Sequence, residues 1–519
     1  MSFNIKLYPH QKEALTWMIS REKEPLRLNN GDVIYGGLLA DEMGLGKTYT
    51  TMSLIVENEV ATTLIVAPLA LIDNWVAACR SYNIEPYVFN SKAGAWQMEK
   101  KATAQGKVTE VYVTNYHSIL NWHALRFGVD DQPWGRVVCD EAHTLRTING
   151  EFAKALRETE ANFRWALTAT PIVNKMSDLA SLFCFMGVLG GEDTKKKWYG
   201  WMEDLVPSLC FGRTCDMLRE KLAALPPKSE VEVIALEFET KEEANFYRVV
   251  QQDVSAFMAR YKNFSLSAMQ KIAMLLRLRQ ISVHPQVYIN AKRAQAEAAG
   301  AKPQDKGFKA ADRNGVSTKF SALSKIVDED TGANSYLIFC QFHDEMQLLS
   351  EHLQQTGQFK YIFQYHGGMN KEERREVIEG AKSVAAGKEL IDGMKPAVML
   401  IQIHCGGVGL NLQEFDCCMF LSSWWTAALM DQAVARASRM GRKGRVRVIQ
   451  LVLNEEKALI NIDTLIGEKV EGKRELHMWF VEHMNKGRAG QQKRKKPTFV
   501  SRVSHSAERP PAASHSAEA

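Results

Sequence analysis

Asp41-Glu42-Met43-Gly44-Leu45-Gly46-Lys47-Thr48 is the stretch on which the fold turns. It follows a short apolar run, Gly36–Ala40, and precedes a helical pattern, Tyr49–Val56, so the order is strand, glycine loop, helix start. Small residues there let backbone N–H groups face phosphate oxygens, and the helix dipole favours the negative charge. Lys47 would reach the β- and γ-phosphates, and Thr48 would offer a hydroxyl to Mg²⁺. A strict phosphate loop has glycine where this chain has Asp41, so the pattern fails by one residue. Taken alone, the eight residues read equally as a phosphate loop or a flexible turn.

Other stretches decide between those readings. Asp140-Glu141-Ala142-His143 follows Trp134–Cys139, which reads as a buried strand. A carboxylate at a strand end can hold Mg²⁺, and its neighbour can orient or deprotonate water. An acidic pair by itself could equally cap a helix. Leu64–Pro68 is a strand ending in proline, followed by Asn74-Trp75. Val113–Tyr116 is another strand end, and Leu167-Thr168-Ala169-Thr170-Pro171 comes one helix after the acidic pair. Downstream lie a strand, Leu337–Phe342, and a second glycine turn, Gly406–Leu412. Asp431–Arg442 places Arg436 and Arg439 three apart on one helical face.

In order and approximate spacing the set resembles the Swi/Snf-type ATPases of helicase superfamily two, over roughly residues 5 to 455. Tyr8-Pro9-His10-Gln11 resembles their adenine-reading glutamine segment, and Asp in place of Gly at the loop's start is a form this family commonly carries. Leu275–Pro285 and Ser317–Leu323 resemble the branch with helicase-like transcription factor and the RING-bearing repair translocases. Two stretches depart from the family. Ser422–Ala427 stands where an acidic-Pro-Trp-Asn-Pro stretch is usual, and Ser438–Arg442 where His-Arg-Ile-Gly-Gln is usual.

The resemblance implies an ATP-dependent translocase on double-stranded DNA, free or nucleosomal, acting in repair, chromatin remodelling or transcription. A strand-separating helicase and a non-hydrolysing DNA clamp are the alternatives. ATP and Mg²⁺ are the implied cofactors. Gln11 and residues Asp41 to Thr48 (Glu42, Met43, Gly44, Leu45, Gly46 and Lys47 between them) would bind ATP, with Thr48 and Asp140 on the metal. Lys47, Asp140, Glu141, Arg436 and Arg439 would carry catalysis, the arginines reaching the γ-phosphate from a second lobe. Thr168, Thr170, Gly407, Gly409, Asn411 and Gln432 would couple the site to DNA. Arg277 and Arg279 read either as phosphate contacts or as a solvated helix face. Trp424-Trp425 reads as packing near the cleft or as base stacking, and His284 as a helix-end residue.

Composition agrees. At 519 residues the chain is too long for one core. No run of about 18 apolar residues exists to span a membrane, and the N-terminus lacks a signal peptide's apolar core. Nine scattered cysteines without a CxxC pair point to a reducing compartment, the nucleus or another that holds DNA, and to no zinc module and no RING. The net charge of +5 is uneven: from Lys486 onward there are eight Lys/Arg against two Asp/Glu, leaving the remainder near neutral. That tail, poor in apolar residues, reads as disordered. Its Lys493–Lys496 run is a nuclear localisation signal, a nucleic-acid patch or plain solvated charge.

The chain order predicts an α/β protein of two RecA-like lobes, each a parallel sheet flanked by helices. Residues 1–180 form the first lobe, 181–290 helical protrusions, and 291–316 a linker. Residues 317–484 form the second lobe and 485–519 the basic tail. Within 181–285, Met217–Leu225 and Glu242–Tyr261 show helical spacing. A monomer is expected.

Overall fold

The computed structural model describes residues 6–28, 31–98, 109–130, 132–188, 198–260, 268–298, 311–313, 315, 317–387, 389–406, 410–454 and 461–486. Two sheets organise them. The first has eight strands in the order 210–211, 36–39, 161–167, 134–140, 62–67, 110–115, 87–90, 95–97, all parallel except the last pair. The second has six parallel strands, in the order 231–236, 447–453, 417–420, 335–340, 395–402, 359–365.

Both sheets are covered on two faces, which explains why their strands are almost wholly apolar. In the 62–67 strand, Leu64 and Val66 enter one core and Ile65 and Ala67 the other. In the 335–340 strand, Tyr336, Ile338 and Cys340 face one side while Leu337 and Phe339 face the opposite one. Each fully buried aliphatic side chain contributes about 1.5–3 kcal/mol, so the alternation pins the register firmly.

Register also sets the site. Leu39 pairs with Leu167, and Leu167 with Asp140. The glycine loop, Thr168 and the acidic pair therefore leave the sheet at one level, at the carboxyl ends of its strands, where open α/β sheets bind ligands.

The expected two-lobed α/β fold is present, but three boundaries differ. Residues 181–290 are not only helical protrusions. Cys210–Phe211 adds an edge strand to the first sheet and Val231–Leu236 adds one to the second. The chain thus passes between sheets at 212–230, ahead of the 291–316 stretch, whose first part continues the Pro285–Ala298 helix. Within the crossing, the helix expected over Met217–Leu225 stops at Leu218. Leu218, Leu222 and Leu225 turn instead onto Leu45 and Met440, and burial there outweighs helical propensity. Finally, the Ile462–Lys486 helix, expected to lie within the second lobe, spans both. Ile462 and Ile466 pack with the 241–260 and 268–283 helices, while Phe480 and Met484 sit in a core of the first lobe. The tail after Lys486 lies outside the described residues. Among those described, no helix is long and apolar enough to cross a membrane.

Candidate functional site

The Lys47–Glu57 helix starts at Gly46, whose φ of 82° is left-handed, as is that of Gly44 at 83°. Only glycine takes that conformation freely. A Cβ on Gly46 would also stand 2.2 Å from Gln11 Nε2. Gln11 is therefore seated against the loop, its amide donating to Leu45 O at 3.3 Å while Tyr8 N donates to its Oε1 at 2.9 Å. His10 Nε2 lies 3.0 Å from the same Leu45 carbonyl. Lys47 Nζ donates to Asp41 O at 2.7 Å, which holds the ammonium over the loop, and Thr48 is half-buried beside it.

Asp41 does something other than face a ligand. Its carboxylate is completely buried and receives two bonds from Arg213, at 3.0 and 2.7 Å. A buried carboxylate requires such a partner. Arg213 also donates to His10 O at 2.5 Å and lies over the Phe211 ring at 4.7 Å. Asp41 therefore anchors the loop rather than binding ATP through its side chain. Glu42 is similarly engaged, accepting from Cys215 N at 2.5 Å. Sequence reasoning missed Arg213, since no local pattern joins positions 172 residues apart.

Asp140 ends its strand with one carboxylate oxygen accepting from Trp75 Nε1 at 2.9 Å and the other from Glu141 N at 2.9 Å. Burial first, and then the charge of Glu141, push its carboxyl above the usual range. Glu141 takes a left-handed backbone, φ 47°. Burial acts to raise its pKa, but His143, Lys47 and Arg436 outweigh it, and the carboxyl sits below its ordinary value. His143 Nδ1 lies 3.3 Å from Glu141 Oε2 and 3.2 Å from Thr168 Oγ1. Thr168 Oγ1 in turn accepts from Thr170 N at 3.1 Å.

The second lobe presents the Ala427–Ala437 helix. Arg436 lies close enough to Glu141 and Asp140 for their charges to act on it, although burial, the larger influence, lowers its pKa to about 10. Arg439 is turned home, donating to Leu410 O at 2.6 Å and Ala435 O at 3.3 Å. Arg442, in the variant stretch, bonds Phe415 O at 2.7 Å and Asp416 at 3.2 Å, and so braces its own lobe. A cavity of about 330 Å³ runs between Glu42–Gly44 on one side and Asp431, Ala435 and Arg439 on the other.

A second inter-lobe cavity, about 710 Å³, takes in Thr170, Arg279, Gln341, Trp424 and Gln432. Arg279 is not on a solvated face. It is 3% exposed, donates to Ser423 O at 3.1 Å and lies 5.0 Å from the Trp424 ring centre, and burial lowers its pKa to about 10. Its Nε, with Gln341 Oε1 and Thr170 Oγ1, is buried without a hydrogen-bond partner. Arg277 pairs instead with Gln280 and Gln295. His284 joins two helices, accepting from Gln286 N at 3.0 Å and contacting Gly315 O at 2.9 Å. Asn411 is exposed, and Gly407 and Gly409 lie outside the described residues.

Residues 10–287 match the SNF2-related domain family and residues 318–441 the helicase conserved C-terminal domain. The chain is 26% identical over 473 residues to a probable global transactivator of Orgyia pseudotsugata multicapsid polyhedrosis virus, covering 87% of each. It is 25% identical to the putative ATP-dependent helicase/translocase YwqA of Bacillus subtilis, covering 90% of this chain but 48% of that one. The chain thus spans about half the length of that bacterial relative. The Sulfolobus solfataricus SWI2/SNF2 ATPase core in complex with dsDNA is 22% identical, with 93% of this chain and 97% of that one aligned at a TM-score of 0.37.

Proposed function

Because the chain belongs to the SNF2-related family, we propose that it is an ATP hydrolase that couples lobe closure to movement along double-stranded DNA. The observation that carries this reading is the meeting of the two lobes at the glycine loop, where Glu42–Gly44 and Thr170 face Asp431, Ala435 and Arg439 across a cavity of about 330 Å³, with Lys47 and Arg436 both acting on the charge of Glu141. A general base flanked by cations from two lobes suits hydrolysis of a phosphoanhydride that only closure completes.

In this reading Lys47 neutralises the phosphates, Glu141 accepts the proton of the attacking water, and Arg436 stabilises charge as it develops. Arg439 holds the strand-linking segment at Leu410. Thr48 and Asp140 would hold Mg²⁺. The donor set fits: it is all oxygen, and the raised Asp140 carboxyl sits beside a second carboxylate, where a cation would relieve repulsion. Among the described residues no group of three or more His, Cys, Asp or Glu could hold a metal, so phosphate and water would supply the ion's remaining ligands. Bound Mg²⁺ supplies charge neutralisation on the phosphates.

The larger cavity, with the unsatisfied Arg279 Nε and Thr170 Oγ1, suits a backbone phosphate of the duplex, free or nucleosomal. Thr168, Thr170 and Gln432 would pass strain from that contact to the acidic pair. The enzyme would work as a monomer without zinc in a DNA-containing compartment, the nucleus where there is one. The test is ATP turnover with and without duplex DNA. Duplex should stimulate more than single strands or RNA, and Lys47→Ala should abolish turnover in a folded protein. Turnover indifferent to duplex, or wild-type turnover in that variant, overturns the reading.

A further inference from the structure

The segment between the two edge strands, residues 212–230, is fastened at both ends to the parts that must meet for hydrolysis. At the first lobe it continues the parallel pairing of Cys210–Phe211 into the glycine loop. Ala40 N donates to Phe211 O at 2.6 Å and Glu42 N to Arg213 O at 2.8 Å. Gly212 passes so near that a Cβ on it would stand 2.5 Å from the Ala40 carbonyl carbon and oxygen. Arg213 then grips Asp41, and Cys215 N grips Glu42. At the second lobe, Gly441 N donates to Ala224 O at 2.8 Å, two residues beyond Arg439. Between the ends, Leu218 and Leu222 close a small cluster with Leu45 of the glycine loop and Met440 of the second lobe.

We propose that residues 212–230 form a coupling strap: they report the position of the Arg439–Gly441 turn to the glycine loop, with Leu222 and Arg213 as positioning residues. The proposal rests on the ATP-hydrolase reading above. It gives a structural role both to Asp41, where a strict phosphate loop has glycine, and to the Ser438–Arg442 departure. Asp41 is the strap's anchor on the loop, and Met440-Gly441 its dock on the second lobe. Gly441 has φ 92°, which presents its N–H to the strap at no steric cost. Coupling through such a contact needs an element that both sites bias, and a segment held by a buried ion pair at one end and a backbone bond at the other meets that need. The strap touches neither water nor phosphate in this scheme. Its effect should fall on kcat during closure and spare the affinity of the open loop for ATP.

The test uses the full chain and Leu222→Ala, with Leu222→Met as the conservative rescue and Leu218→Ala should the first variant not fold. Hydrogen exchange is followed at residues 41–48 and 438–442, with and without Mg²⁺ and the non-hydrolysable analogue adenylyl imidodiphosphate. In the wild type both stretches should gain protection. In Leu222→Ala protection at 41–48 should persist and that at 438–442 should be lost. Duplex-stimulated kcat should fall roughly threefold to thirtyfold at unchanged KM for ATP, and Leu222→Met should restore it. A merely structural strap would raise KM with kcat intact. A wild type without protection at 41–48 overturns the ATP reading and the strap with it. Equal protection of both stretches in the wild type and Leu222→Ala overturns the strap alone.

Discussion

The first lobe holds its reactive groups with partners of its own: Trp75 on Asp140, Arg213 on Asp41, and the Asp41 carbonyl on Lys47. The second lobe splits its two arginines. Arg439 bonds backbone carbonyls of its own lobe, whereas Arg436 is set among charges that belong to the other. A site preorganised on one sheet and completed from another can bind nucleotide while open and react only when closed. Lys371, which reaches Asp73 at 2.9 Å, adds only an exposed contact to that closure.

The sharpest break of this contrast is between the two arginines. Arg436→Ala should lower duplex-stimulated kcat by about 10³–10⁵-fold, as for arginines that reach a transferring phosphoryl group elsewhere. Arg439→Ala, acting through Leu410, should cost about 10–100-fold. Steady-state kinetics with nucleotide binding measured separately checks both. The reverse ranking would mean that Arg439, not Arg436, crosses the cleft.

Glu141→Gln keeps shape and removes the base. Hydrolysis should fall about 10²–10⁴-fold while the protein still binds ATP, giving a trapped closed state visible as slow nucleotide release. Lost nucleotide affinity would assign Glu141 to the framework instead of the chemistry.

Each lobe also carries a buried ion pair, and these sharpen the comparison further. In the second lobe Lys319 pairs with Asp463 at 2.8 Å, both fully buried, far from either arginine in role. Lys319→Met strands Asp463 and should cost about 3–5 kcal/mol in denaturant unfolding. Activity per folded molecule should hold, because the pair joins the Thr318–Glu329 helix to the start of the Ile462–Lys486 helix. Arg213→Met should cost a similar amount and impair turnover as well. If Lys319→Met abolishes turnover at full stability, the second lobe's pair belongs to the motor.

The smallest effect concerns pH. Burial lowers the His284 pKa from 6.5 to about 4. The unfolded chain takes up the proton first as pH falls through the ordinary value. Stability is therefore lost between the two pKa values and levels off below the lower one, a drop of about 2 kcal/mol from about pH 7 to about pH 5. His284→Gln should flatten that part of the stability profile, and an unchanged slope would assign the loss to other histidines with lowered pKa values, such as His352 and His404.

The residues of the glycine loop, the acidic pair, the strand ends and the arginine helix were legible in the chain because each depends on local spacing: glycine where φ is positive, carboxylates where a strand stops, apolar runs where both faces are covered. Two α/β lobes followed from the order of those pieces. What Asp41 does was not legible, since its partner Arg213 follows the edge strand Cys210–Phe211 and only that strand's pairing with Leu38-Leu39 brings the two together. Helical spacing over Met217–Leu225 was real but gave way to a long-range cluster with Leu45 and Met440. Arg279 looked like a solvated helix face until Trp424, 145 positions on, covered it. Sequence by itself determined which chemistry the chain can carry. Tertiary structure alone decided which charges face one another across the cleft, because a buried charge must find its partner in space, wherever that partner lies along the chain.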